Sequence, residues 1–103
     1  MHALLITFTT DAPLEELVQP MTEYAHGLCS IDGLVSKTWI AEGTMLGGFH
    51  VFTSRAAADA YMATDMAAGL VANPAFHDFE FRHFDILDEL SAITGTSHIP
   101  LAA

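Results

Sequence analysis

His50, Trp39 and Tyr61 are the residues whose types suit proton transfer on an aromatic guest. His50 stands within Gly47-Gly48-Phe49-His50-Val51-Phe52, just past two glycines that free space for a ligand or a neighbouring backbone. An imidazole titrating near neutrality can take a proton from a phenol. The competing reading is a strand histidine, half-buried and hydrogen-bonded to a neighbour. Lys37 and Trp39 fall on one face of the preceding strand. There an indole offers a flat wall and an N–H donor, and an ammonium favours a phenolate or enolate. The alternative is a core tryptophan with a lysine snorkelling at its edge. Tyr24, Tyr61 and His26 sit on helical stretches from which they could close a pocket, or simply pack. His83, on the same strand face as Phe79 and Phe81, is a further substrate-contact candidate beside Lys37 and Tyr24.

Six histidines, at 2, 26, 50, 77, 83 and 98, invite a metal reading. There is no HxH, no HExxH and no cysteine pair. His77 and His83 are separated by about 20 Å of extended chain, too far for bonds of about 2 Å to one ion. No metal site is expected. Cys29 is the single cysteine, without a basic neighbour to depress its thiol pKa, and it excludes an intramolecular disulfide. A phosphate loop, a dinucleotide fingerprint and a nucleophile elbow are all missing. The Gly47-Gly48 pair reads as a strand irregularity.

These side chains need a scaffold, and 103 residues with 51% hydrophobic content supply one domain, expected over residues 1–95, with 96–103 as a flexible tail. Thirteen acids against Lys37, Arg55 and Arg82 give a net charge of −10, which argues against nucleic acid and against an anionic membrane surface. The apolar runs are too short to span a bilayer, and the first residues lack a basic n-region, so a cytoplasmic protein is expected.

The elements follow from punctuation and period. Residues 3–9 read as a strand. Pro13 opens a helix whose stripe is Leu14, Leu17, Val18, Met21, Ala25 and Leu28, kinked at Pro20. Residues 34–41 and 45–53 alternate as strands around Glu42-Gly43-Thr44, a hairpin turn in which Gly43 takes a positive φ. Ser54 caps an alanine-rich helix to residue 64, residues 65–72 continue helically, and Asn73-Pro74 stops them. Residues 76–87 form the last strand, its odd positions turned inward. The order is β-α-β-β-α-β: a ferredoxin-like α+β fold with a four-stranded antiparallel sheet and helices on one side. A lone copy would leave the other side wet, so a homodimer is expected, enclosing a dry chamber for an organic guest.

This order, with Asp32-Gly33-Leu34 leading to Lys37-Thr38-Trp39, then Gly47-Gly48, Val51-Phe52-Thr53, Tyr61 and Phe84-Asp85-Ile86, resembles the YdhR-type mono-oxygenase family of the dimeric α/β-barrel superfamily. The likeness covers roughly residues 3–95. It implies a homodimer whose two sheets face each other as a barrel. It also implies small aromatic or polyketide-like substrates oxidised without flavin, haem or metal, so no cofactor is expected. A deprotonated electron-rich substrate can itself donate an electron to dioxygen, leaving the protein to supply a base, hydrogen bonds and a dry cavity. Two other functions remain open on the same scaffold: isomerisation or cyclisation by proton movement alone, and non-catalytic binding of a small molecule.

Overall fold

The computed structural model describes residues 1–95. The expected tail at 96–103, and with it His98, lies outside the described residues. Eight elements follow in order: β1 (His2–Thr10), α1 (Leu14–Leu28), β2 (Leu34–Glu42), β3 (Met45–Phe52), α2 (Arg55–Met62), α3 (Asp65–Ala72), β4 (Phe76–Asp85) and α4 (Asp88–Ile93). The four strands form one antiparallel sheet in the order β2-β3-β1-β4. The fold is the ferredoxin-like α+β arrangement, with the second helical segment divided and a short helix appended.

The sheet's two faces follow from the pleat. Directly paired residues point the same way, so Leu4, Ile6 and Phe8 share a face with their partners His50, Gly48 and Leu46 on β3. Lys37 and Trp39 pair with His50 and Gly48 and join that face. Helices α1, α2 and α3 cover it, and Leu17, Leu28, Phe52, Ala58, Tyr61 and Ala67 complete the core beneath them. The opposite face carries Ala3, Leu5, Thr7 and Thr9 with Val51, Phe49, Gly47 and Met45.

Local chemistry sets the boundaries. Gly43 at φ 59° makes the two-residue turn between Glu42 and Met45. Ser54 Oγ accepts the Ala57 N–H at 3.1 Å and starts α2. Thr64, read above as the end of that helix, instead caps the next one: its Oγ1 accepts the Ala67 N–H at 3.2 Å. Helix α1 runs through Pro20 as one element, with Pro13 as its N-cap rather than in its first turn. Its buried stripe is narrower than expected. Leu17 and Leu28 are buried, whereas Leu14 and Val18 are 46% and 55% exposed because they stand over a second groove at the β2 edge.

Strand β4 departs furthest from simple alternation. Thr7 pairs with Glu80 and Thr9 with His77, so the register slips there, and Asp78 sits at φ 57°. The bulge turns both Phe76 and Phe79 onto Phe8, at ring-centroid distances of 4.5 and 4.8 Å. It also puts His77 and His83 on opposite faces, since their partners Thr9 and Leu4 point opposite ways. Because β4 is an edge strand, Phe81 stays 40% exposed although it faces the helices.

Candidate active site

A missing side chain shapes the site. Gly48 lies between Ile6 and Trp39 in the sheet, and its bare backbone leaves room that the Lys37 stem occupies. A Cβ there would meet Lys37 Cε at 2.3 Å and His50 Cε1 at 3.1 Å, so both side chains rest against the same strip of backbone. Gly47 has a different reason: a Cβ would fall 2.2 Å from the Ile6 carbonyl oxygen, so β1 and β3 approach more closely than a side chain allows. The strand pairs without a register shift through both positions, which corrects the irregularity expected there.

The site's cavity has a volume of about 370 Å³. Its floor is the sheet and its walls are α1 and α3. It therefore lies inside one copy, beneath the helices, and not between two sheets as the expected chamber did. Trp39, Lys37, His50 and Tyr24 line it, with apolar side chains making up most of the remainder. The α3 wall of Met66 and Leu70 was not singled out from the sequence, although its i, i+4 spacing marks one helix face.

His50 is 1% exposed and its ring is oriented by the fold. Nδ1 lies 2.9 Å from the Leu4 carbonyl oxygen, which can only accept, so Nδ1 carries the hydrogen. Nε2 of the neutral ring is then an acceptor, and it is buried without a hydrogen-bond partner among the described residues. Burial, joined by the positive charge of Lys37, lowers the imidazole pKa to about 4; the backbone oxygens of Leu4 and Gly48 oppose that shift. The expectation of an imidazole titrating near neutrality fails for this reason. At pH 7 the ring is a fixed hydrogen-bond acceptor.

Lys37 is the cavity's cation. Its Nζ lies 3.5 Å from the Trp39 ring centroid and 5.3 Å from that of Tyr24. Among the described residues it enters no ion pair. Burial lowers its pKa to about 8, close enough to neutrality for a measurable fraction of free amine.

Tyr61 stands behind the lining. It is 1% exposed, its ring packs 5.8 Å from those of both His50 and Phe52, and its hydroxyl meets that of Tyr24 at 2.5 Å. Tyr24 can in turn donate to the Met66 carbonyl at 3.4 Å, which ties α1 to α2 and α3 across the cavity roof. Burial raises the pKa of both phenols, so neither ionises near neutral pH. His83 lies elsewhere: its Nδ1 meets His2 Nε2 at 2.8 Å, and it does not line the cavity. His26 is exposed in the last turn of α1. Thus His50, Trp39, Lys37 and Tyr24 converge, Tyr61 supports them, and His83 stands apart. Among the described residues no group of three or more His, Cys, Asp or Glu side chains is arranged to hold a metal ion.

An antiparallel sheet roofed by helices on one face, with an apolar cavity between the two layers, defines a protein of the ferredoxin-like α+β class. The family described as "Putative mono-oxygenase ydhR" matches residues 3–97, and the chain belongs to it. Similar solved structures include the cofactor-independent oxygenase SnoaB from Streptomyces nogalater, with 18% identity, 84% of this chain and 92% of that one covered, and a TM-score of 0.68. An antibiotic biosynthesis monooxygenase has 16% identity, 84% and 99% coverage and a TM-score of 0.70. The heme-degrader MhuD from Mycobacterium tuberculosis, solved with two hemes in its active site, has 15% identity, 84% and 96% coverage and a TM-score of 0.64. At these identities the likeness is one of fold. No curated protein matches the sequence significantly.

Proposed function

We propose that the chain is a cofactor-independent mono-oxygenase of small electron-rich aromatic or polyketide-like compounds, with Lys37 as the base and His50 as the acceptor that orients the guest. The observation that carries this reading is an amine that enters no ion pair among the described residues, lining one apolar cavity together with the buried His50 ring. The free-amine form of Lys37 takes the proton of a phenol or enol and becomes the ammonium that holds the anion. His50 Nε2 accepts a hydrogen bond from a second hydroxyl and orients the ring, and Trp39 stacks against it. His50 is thereby an orienting acceptor, and the role of base passes to Lys37.

The anion then gives an electron to dioxygen, and the radical pair combines at carbon as a hydroperoxide. Loss of water from the oxidised methylene leaves a carbonyl, so CH2 and O2 become C=O and H2O. The likeness to SnoaB supports the absence of a cofactor from this sequence.

We further infer a homodimer, in which the sheet face opposite the helices meets its counterpart; the exposed Phe84 and the unroofed Leu5 and Phe49 support it.

The test is oxygen uptake with anthrone-type compounds and hydroquinones in the presence of a metal chelator. Lys37→Met keeps the stem and removes the amine, and should lower turnover by about a hundredfold or more. Product formation without oxygen consumption would replace oxidation with isomerisation or cyclisation. Heat stabilisation by the compound without any product would replace it with simple binding.

A further inference from the structure

Lys37 is the only lysine in the chain. In a protein carrying 13 acids, that single ammonium stem is half-buried and, among the described residues, matched to no carboxylate. It lies along the cavity floor, its Cε filling the space left by Gly48 and its Nζ resting on Trp39. A cation on an aromatic face is itself a stable packing arrangement. Packing alone, however, does not call for an amine opening into a cavity of about 370 Å³ beside an imidazole nitrogen without a hydrogen-bond partner among the described residues.

We propose that Lys37 is a carbonyl-capturing amine: an aromatic aldehyde or ketone that enters the cavity and stacks on Trp39 condenses with Nζ to form an imine. The nitrogen lone pair attacks the carbonyl carbon, and one N–H proton passes to the oxygen to give a carbinolamine. The hydroxyl then leaves with the second amine hydrogen as water, and C=N remains. Nothing is oxidised or reduced, and water reverses the reaction. A desolvated lysine gives up its proton closer to neutral pH than an exposed one and so offers more free amine there, the property that imine-forming lysines share. The lowered pKa of about 8 is in keeping with this geometry. The imine uses the same cavity as the oxidation above but requires no oxygen, so the inference stands or falls separately from it.

The experiment treats the whole chain with benzaldehyde and sodium cyanoborohydride under nitrogen, which delivers hydride to any C=N and fixes the adduct as a secondary amine. Intact mass and a tryptic map then locate it, because an alkylated Lys37 blocks cleavage after residue 37. The only other primary amine is at Met1, where it is paired to Asp88 at 2.8 Å and serves as an internal reference. One addition at Lys37 is expected, at least about tenfold faster at pH 8 than on free Nα-acetyl-lysine, with a pH midpoint well below the ordinary lysine value. Lys37→Arg should remove this adduct and leave Met1 labelling unchanged. Gly48→Ala, checked for folding by thermal melt, should slow Lys37 labelling severalfold by displacing its stem. Labelling confined to Met1, or labelling of Lys37 with the rate and pH profile of free lysine, would overturn the proposal. Adduct formation in a preparation that never consumes oxygen would support it while sinking the oxygenase reading.

Discussion

At the scale of single residues, burial has moved the titration of His50 away from its solution value, and the shift carries a sign. The His50 pKa is lowered from its ordinary value to about 4 in the fold. Between those values the unfolded chain binds a proton that the native chain does not, so stability falls as the pH drops through that window. The loss attributable to this ring amounts to about 3 kcal/mol at most. A His50→Phe variant keeps an aromatic ring beside Phe52 and Tyr61 but has nothing to protonate. Its melting temperature should therefore decline less between pH 6.5 and 4 than that of the parent, as read by thermal denaturation at each pH. Equal declines would mean that the imidazole is not shielded in solution. That His50 would stand beside open space was legible from its place beyond two glycines. Its fixed tautomer was not, because that depends on the Leu4 carbonyl 46 residues away.

At the scale of elements, most of the punctuation could be read directly. The Gly43 turn, the Ser54 cap and the stop at Asn73-Pro74 are all local chemistry, and local chemistry is what a sequence displays. What escaped were features set by contacts across the fold. The bulge at Asp78 arises where β4 must bring both Phe76 and Phe79 to Phe8, and strict alternation cannot anticipate it. The wide apolar stripe assigned to α1 assumed a packed core beneath the whole helix, whereas part of that helix roofs a cavity. Gly47 gives the element-scale test. Gly47→Ala would push a methyl group to within 2.2 Å of the Ile6 carbonyl oxygen, on backbone that cannot swing aside. A loss of roughly 1–3 kcal/mol is expected from denaturant midpoints. A neutral substitution would show that β1 and β3 can separate without cost.

At the scale of the whole molecule, one copy leaves large apolar groups in water: Phe81, Phe84, Leu87, Leu90 and Ile93 are between 39% and 81% exposed. Pairing through the open sheet face would cover Phe84 and its neighbours there. Sedimentation equilibrium should give twice the chain mass, and Phe84→Glu should shift the population towards monomer. A monomeric parent at micromolar concentration would remove the dimer from the reading. The expectation of a partner came from the apolar content of so short a chain. The location of the cavity was not legible, since Ile6, Gly48 and Trp39 line it from three strands brought together only by folding.

The solitary ammonium in the cavity floor has one more consequence, for how a guest arrives. With a net charge of −10, the exterior field repels anions at long range and does so more strongly in dilute salt. A compound that is already ionised meets that barrier, whereas its neutral acid does not. On the proposed mechanism the uncharged form would enter and give up its proton only inside, where Lys37 becomes the matching cation, so selection at the door and stabilisation inside would act on opposite ionisation states of the same molecule.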